Sequence, residues 1–389
     1  MTPREQPNER GTRDLLVSTH TPVLRSGRAL RTYGVARALA AHNGLDLLYA
    51  RFEGDAPDDA FRAIPGIALH EVLASRGARR LRAYFAARTR GVPAELARGA
   101  SPELSAAAAR LAAAPGRGRV IADGPVAAAA LAHLARERPV IYNAHNFESG
   151  FRHTLGDGRA MGGARALRAF ERGLLARAGE CWMASEADMA AAHELYPQAR
   201  LRYVPNVVDV AAIAPVHPLT DQHRAIFVAN FAYAPNRNGL RFLLKEVMPR
   251  VWAELPAAKL ALVGAGLEQP RQEAFGDPRV EPLGFVEDLH GAYALARCAV
   301  VPLLQGGGTP LKLIEALAHG LPVIATPRAV AGLAVRDGEH LLVADGADAF
   351  AQALLLLLRD GAPQLGARGR QLVAERYSIE ALSGLLRAQ

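Results

Sequence analysis

The chain has 389 residues, half of them hydrophobic, with 46 Lys and Arg against 38 Asp and Glu and a formal charge of +8. That length suits two domains of roughly 150–200 residues each, and the apolar share excludes a fibrous or wholly disordered chain. No apolar run reaches about 18 residues, so no membrane-spanning helix is expected.

The opening MTPREQPNERGTRD is polar and mixed in charge, without the apolar stretch of a signal peptide. A disordered tail over residues 1–13 of a cytoplasmic protein is expected. The first strand is expected at Asp14–Thr19, followed by a helix at Arg28–Ala41 that stops near Gly44. Further strands are expected at Leu45–Ala50, Ile67–Val72, Arg119–Ala122, Val140–Ala144, Cys181–Ala184 and Arg200–Val204. Between them, Ser101 is placed to cap a helix whose first residue is Pro102. Cys181 and Cys298 each open an apolar, strand-like run, so buried free thiols in separate domains are expected.

Arg76, Arg79, Arg80, Arg82, Arg88, Arg90 and Arg98 share one stretch with a single acid, Glu95, and Leu81, Tyr84 and Phe85 fall at helical spacing among them. An amphipathic basic helix of this kind suits an anionic membrane or a lipid-diphosphate acceptor. The other reading is a solvated helix that packs by its apolar stripe. The net charge favours anionic partners in general, but abundant Arg in an Ala- and Arg-rich chain explains it equally well.

The alternation restarts after Pro205. Strands are expected at Ala225–Ala229, Lys259–Val263, Arg279–Leu283, Ala299–Leu303, Val323–Ala325 and Leu341–Ala344, and helices at Gly239–Glu254, Leu289–Ala296, Pro310–His319 and Ala347–Arg359. Short apolar strands alternating with helices imply a parallel sheet covered on both faces. Two such runs give an α/β chain of two doubly wound, Rossmann-like domains facing a central cleft. The N-terminal domain takes residues 14–204 and the C-terminal one 205–376, with the break in the Pro-rich Val204–Gln222 segment. Residues 377–389 are expected as a helix packing back toward the N-terminal domain.

In open α/β sheets ligands gather beyond the carboxyl ends of strands. The most informative such segment is VPLLQGGGTPLKLIEALAHGLPVI, Val301–Ile324. Gly306, Gly307 and Gly308 leave the backbone bare to an approaching anion. Thr309 is expected as N-cap and Pro310 as the first helical residue. Unsatisfied amides and the helix dipole favour a phosphate there. Lys312 in the first turn needs an anion beside it. Glu315, one turn on and on the same face, suits a vicinal diol such as a ribose. Two lesser signals are LVGAG, whose Gly264 ends a strand, and LGFVEDL, whose Val286 follows one with main-chain groups free for a base.

These segments resemble family 4 of the retaining glycosyltransferases with the GT-B fold, in the branch acting in bacterial polysaccharide assembly. The resemblance runs through VPNVVD, FVANFAYAPNRNGLRFLLKEVMPRVW, LVGAG, LGFVEDL, GGGTPLKLIEALAHGLPVIAT and GEHLLVADGADAFA, and more thinly through STHTPVLRSGRALRTYGVARALA, IYNAHNFES and ASEAD. It implies a nucleotide-sugar donor held by the C-terminal domain: Glu315 on the ribose, Lys312 and the glycine-turn amides through Thr309, Pro310 and Leu311 on the diphosphate. It implies Gly27 at the phosphates and His145 beside the anomeric centre as the catalytic residue. Neither metal nor cofactor is implied, and the acceptor is a hydroxyl, lipid-linked in one reading, at the inner face of the membrane.

The sequence departs from that pattern in two places. Gly307 stands where the family often has a second glutamate before Glu315. Asn230 and Asn236 lie where a cationic pair follows the first strand of the domain, with Arg237 as the only substitute. The alternative is therefore a non-catalytic or degraded nucleotide-sugar-binding protein. A dinucleotide oxidoreductase is excluded because HTPVLRSG, after the first strand, lacks G-x-G-x-x-G. No basic–aromatic module for nucleic acid is present.

Overall fold

The computed structural model describes residues 12–24, 26–51, 56–147, 161–217, 223–267, 276–306 and 309–387. The chain forms two compact units, one of Met1–Pro205 with Leu382–Gln389 and one of Asn206–Ala381. Most of the expected tail, residues 1–11, lies outside the described residues, and Arg13 already opens the first strand.

The first unit holds a seven-stranded sheet in the order β3-β2-β1-β4-β5-β6-β7. Its strands are β1 Arg13–Ser18, β2 Gly44–Arg51, β3 Ile67–Leu73, β4 Arg117–Asp123, β5 Ile141–Asn143, β6 Glu180–Met183 and β7 Leu201–Tyr203. Every pairing is parallel. The second unit holds six strands in the order β10-β9-β8-β11-β12-β13. These are β8 Arg224–Val228, β9 Lys259–Val263, β10 Val280–Gly284, β11 Cys298–Val301, β12 Val323–Ala325 and β13 Leu342–Val343, again all parallel.

All the expected apolar runs form strands, because a parallel sheet covered on both faces needs continuous apolar sequence and not alternation. Leu15, Leu16 and Val17 of β1 are successive and all fully buried. Leu15 and Val17 pack with Leu104, Ala107 and Ala108 of the Pro102–Ala112 helix. That helix starts as expected, with Ser101 Oγ accepting from Leu104 N at 3.2 Å. Full burial of each such Leu is worth about 1.5–3 kcal/mol. Cys181 and Cys298 are buried and free in β6 and β11, and burial pushes both thiols up to about 12.

Two expectations need correction. The helix expected at Gly239–Glu254 begins at Ala234, and between Ala234–Phe242 and Met248–Glu254 it opens into a π turn at Leu243–Val247. Pro249 is the cause: it has no N–H to donate and its ring would strike a carbonyl one turn back, so the preceding turn widens. The second concerns the alternative reading of the basic segment, a helix packed by its apolar stripe. A helix forms at Gly77–Thr89, but it buries Ala83 and Ala87, while Leu81 and Phe85 each stay 57% exposed. Tyr84 alone of the expected stripe packs against the core, with Phe85 edge-on to its ring at 5.4 Å.

The C-terminal helix Ile379–Arg387 ends among residues of the first unit. There Ser383 Oγ donates to Ala38 O at 3.3 Å and Arg119 Nη1 to Leu386 O at 3.0 Å.

The carboxyl ends of β8 and β9 approach each other closely at Gly264, which has φ +130, and a Cβ there would lie 1.9 Å from Ala229 O. Gly284, φ +72, faces open space. Gly264→Ala combines backbone strain with a clash against main chain and should cost about 2–4 kcal/mol, whereas Gly284→Ala should cost only about 1–2 kcal/mol. Thermal denaturation of the two variants side by side checks this; equal losses would mean that the close approach at Gly264 is not made.

Candidate functional site

In each sheet the strand order reverses once, between β1 and β4 and between β8 and β11. Helices leave in opposite directions from such a point, so the loops at the carboxyl ends part and make room for a ligand.

In the second unit, β11 runs into Gly306, which has φ +131 and so needs glycine. Gly307 and Gly308 lie outside the described residues. The helix that follows is Leu311–Ala318, with Pro310 in extended conformation at its N-cap and no side chain capping it. Thr309 is thus not the cap, and Pro310 not the first helical residue. Instead Thr309 is buried, and Asn206 Nδ2 donates to its carbonyl at 3.1 Å, pinning the turn before the helix. An uncapped helix start leaves backbone donors for an anion.

Lys312 lies in the first turn. Its Nζ donates to Asn236 Oδ1 and sits 5.5 Å from the centre of the Phe227 ring. Asn236 Nδ2 in turn donates to Asn230 O at 2.7 Å. Residues following β8 and β11 therefore meet across the reversal. Burial pulls the Lys312 ammonium down to about 7 and pushes the Glu315 carboxyl up to about 7. Burial is the single cause in both cases. Two groups poised near neutral pH on one helix face make this a candidate functional site.

The remaining donor-side candidates are placed as follows. Gly264 donates its N–H to Gly284 O at 2.7 Å and forms part of the tight backbone edge described above. Val286 packs, half-buried, on the core beneath the Leu311–Ala318 helix, whose first residue Leu311 is likewise half-buried. Arg237 spends its guanidinium on the main chain: Nη1 donates to Phe231 O at 3.2 Å and to Ala232 O. Gly27 belongs to the first unit, exposed at the start of the Gly27–Ala40 helix, where Ser26 Oγ accepts from Ala29 N at 3.3 Å.

The first unit has its own constellation at the reversal. β4 ends in Asp123 and β5 in Asn143, with His145 two residues on. His145 Nε2 lies 2.7 Å from Asp123 Oδ1, which also accepts from Asn143 Nδ2 at 2.8 Å. Thr32 Oγ1 donates to Asp123 Oδ2 at 2.7 Å. Arg31 Nη2 donates to Asn143 Oδ1 at 2.7 Å, and its Nη1 to Val204 O at 2.8 Å. All five side chains are buried.

Burial by itself raises the Asp123 carboxyl, but the attraction of His145 and the bonds from His145, Thr32 and Asn143 outweigh it and hold it at about 2. Burial lowers Arg31 to about 10, so it remains a cation at neutral pH. His20, just beyond β1, is lowered by burial, with Arg28 and His145 acting in the same direction.

Sequence reasoning picked out His145 but missed Asp123, Asn143 and Arg31. The signal for Asp123 was present: an acid ends the apolar run VIAD and Gly-Pro follows it, at the carboxyl end of a strand next to the reversal. Arg31 carried no signal, because a mid-helix Arg is usually solvated.

Residues 222–360 match the family model described as glycosyl transferases group 1. Over 193 residues the chain is 32% identical to a phosphatidyl-myo-inositol mannosyltransferase of Mycolicibacterium smegmatis, a match covering 46% of this chain and 49% of the relative. The chain thus spans about half the length of that curated relative. Among solved structures, sucrose-phosphate synthase from Thermosynechococcus elongatus superposes with a TM-score of 0.74 at 19% identity, over 97% of both chains. The Anabaena protein HepE in complex with UDP gives 0.67 at 13% identity, over 97% of this chain and 98% of that one. The two parallel sheets are those of the GT-B fold, and residues 222–360 are a group 1 glycosyltransferase domain.

Proposed function

We propose that the protein is a retaining glycosyltransferase that moves a sugar from a nucleoside-diphosphate sugar to a hydroxyl acceptor in the assembly of a cell-surface polysaccharide or glycolipid. The observation that carries this reading is the pair Lys312 and Glu315 at the uncapped start of the Leu311–Ala318 helix, beside the strand-order reversal. Opposite charges drawn out of water without an ion-pair partner are costly, and a nucleoside diphosphate resolves both at once. Its phosphates accept from Lys312 and from the helix amides. Its ribose hydroxyls donate to Glu315.

In the reaction the bond from the anomeric carbon to the diphosphate breaks and the electron pair leaves with the diphosphate. The acceptor oxygen bonds to that carbon on the same face and gives up its proton. Charge builds on the diphosphate oxygens, where Lys312 and the free amides at the start of the Leu311–Ala318 helix would stabilise it. His145 is assigned to orient and polarise the acceptor hydroxyl. The mycobacterial relative named a phosphatidyl-myo-inositol mannosyltransferase and the neighbour solved with UDP support donor and acceptor of these classes. The competing reading, a non-catalytic or degraded nucleotide-sugar-binding protein, draws on Gly307 and Asn230, and on Lys312 meeting the amide of Asn236 in the segment where the family tends to place cations. Donor hydrolysis separates the two.

The Gly77–Thr89 helix is proposed as a contact with an anionic bilayer at the cytoplasmic face. Leu81 and Phe85, exposed one turn apart, stand among the exposed Arg79, Arg80, Arg82 and Arg88, the pattern of an interfacial helix. Flotation with anionic vesicles should show binding that high salt weakens and that Leu81→Ser with Phe85→Ser abolishes. Binding unchanged in the double variant would remove this surface from consideration.

Nucleotide affinity should depend on pH with a defined sign. Lys312 is charged below about pH 7; above it, each bound diphosphate must bring a proton, so affinity falls by at most about tenfold per pH unit. Glu315 is ionised above about pH 7; below it, ribose binding must expel a proton, so affinity falls again. Calorimetry between about pH 6 and 9 should therefore show a maximum near 7. Lys312→Met should remove the alkaline decline and Glu315→Gln the acid one. An alkaline decline that survives Lys312→Met would show that Lys312 does not hold the phosphates.

His145→Ala should lower turnover by about 10²–10⁴ and leave donor affinity within about twofold, a change worth only ~0.4 kcal/mol. Steady-state transfer kinetics together with equilibrium binding of the nucleoside diphosphate measure both. Unchanged turnover would take His145 out of the reaction.

A further inference from the structure

Asp123 lies fully buried under His145, and no part of the donor-side reading uses it. Its Oδ1 is 2.7 Å from His145 Nε2. Thr32 and Asn143 donate to the same carboxylate, at 2.7 and 2.8 Å. An ionised carboxylate only accepts hydrogen bonds. Nε2 must therefore carry a proton whenever this contact is made, and in the neutral ring Nδ1 is left bare.

The other side of the ring has a matching provision. Among the described residues none makes a hydrogen bond with Nδ1. Gly124, the next residue after Asp123, has φ +88, and a Cβ there would lie 3.3 Å from Cε1 and 3.4 Å from Nδ1. Any larger residue would thus crowd this edge of the imidazole as well as strain the backbone. Two successive residues therefore act on one ring: the first fixes Nε2, the second leaves the Nδ1 edge open.

The carboxylate is itself held in place. Arg31, a buried cation, donates to Asn143 Oδ1 at 2.7 Å, and the amide of Asn143 passes a hydrogen bond on to Asp123. The other end of the guanidinium grips Val204 O at 2.8 Å, next to Pro205, the last residue before the chain enters the second unit. A cation and a carboxylate joined through an amide that satisfies both is a stable way to bury two charges. A chain with every link made also fixes the ring orientation.

We propose that Asp123 is the positioning residue of the transfer reaction: it locks His145 in the Nε2–H form, so that Nδ1 is the nitrogen presented to the acceptor hydroxyl, with Gly124 keeping that edge clear. This rests on the assignment of His145 to the acceptor side. In the reaction Nδ1 accepts the hydrogen bond of the acceptor hydroxyl and draws off its proton as the new glycosidic bond forms; Nε2 keeps its own proton throughout. Asp123 touches neither substrate.

The test uses the full chain in two readouts. Asp123→Asn conserves shape but removes the charge that fixes the ring: its amide can set either its oxygen or its NH₂ against His145 Nε2, with Thr32 Oγ1, whose hydroxyl already reaches Arg28 O at 3.0 Å, able to donate or accept to match. In nitrogen-15 histidine spectra, with the His145 signals identified by their loss in His145→Ala, the unsubstituted protein should show the proton on Nε2 alone. Asp123→Asn should show a mixture of both tautomers.

In transfer kinetics Asp123→Asn should lower kcat by about 10–10³, below the loss expected for His145 itself, with donor KM unchanged. Introduced into His145→Ala it should cost nothing more. Equal losses in both backgrounds would make Asp123 a merely structural residue and overturn the proposal, as would a single Nε2–H tautomer in Asp123→Asn. If that variant does not fold, the unsubstituted protein still decides: a proton found on Nδ1 alone overturns the proposal, and one on Nε2 alone supports it. If no sugar is transferred by any form of the protein, the assigned reaction fails while the tautomer readout still tests Asp123.

Discussion

The handedness of the strand–helix–strand crossover constrains most of what this chain can do. Right-handed crossovers force a parallel sheet that grows outward in both directions to reverse its order once, and at that point the helices leave on opposite faces. In the first unit the reversal lies between β1 and β4, in the second between β8 and β11. Every polar cluster described above hangs from the carboxyl ends of those strands or their immediate neighbours. Asp123 ends β4, Asn143 ends β5, and His20 follows β1. Lys312 and Asn236 come from the segments after β11 and β8. Topology has done the gathering; the residues supply only the chemistry.

The two clusters use burial in opposite ways. Around Asp123 each hydrogen bond is made inside the protein, so the carboxylate stays ionised despite complete burial and the imidazole above it is fixed. Around Lys312 and Glu315 the protein leaves the account open. One amide oxygen partners Lys312, burial drives both groups toward neutrality, and a ligand carrying phosphates and a diol would restore both charges. The first arrangement is what orienting a group requires. The second is what binding requires, since an already neutralised site has little to gain from an anion.

Glycine does different work in the two units. At Gly264 the limit is main chain against main chain, the carbonyl of Ala229 lying where a Cβ would go. At Gly124 the limit is a functional ring. The three glycines before the Leu311–Ala318 helix are legible from sequence as a turn open to an anion. Gly124 and Gly264 look ordinary until their neighbours are known.

By itself the sequence determined the strand runs, their parallel pairing and the doubly wound class, because a sheet covered on both faces leaves uninterrupted apolar runs between helical segments. It also marked Lys312 and Glu315 as candidates, since what pairs them is local: one helix, one face, one turn apart. Tertiary structure alone decided the cap of that helix, where Asn206 takes the Thr309 carbonyl and Pro310 becomes the N-cap. It likewise decided that Leu81 and Phe85 face outward, because the core accepts the neighbouring Ala83 and Ala87 in their place. It decided the partnership of Asp123, Asn143 and Arg31 with His145. Those residues come from β4, β5 and a helix beginning at Gly27, and they meet only because the sheet sets non-consecutive strands side by side. Local pattern records which face of an element is apolar; it does not record which polar side chain a distant segment will bring to it.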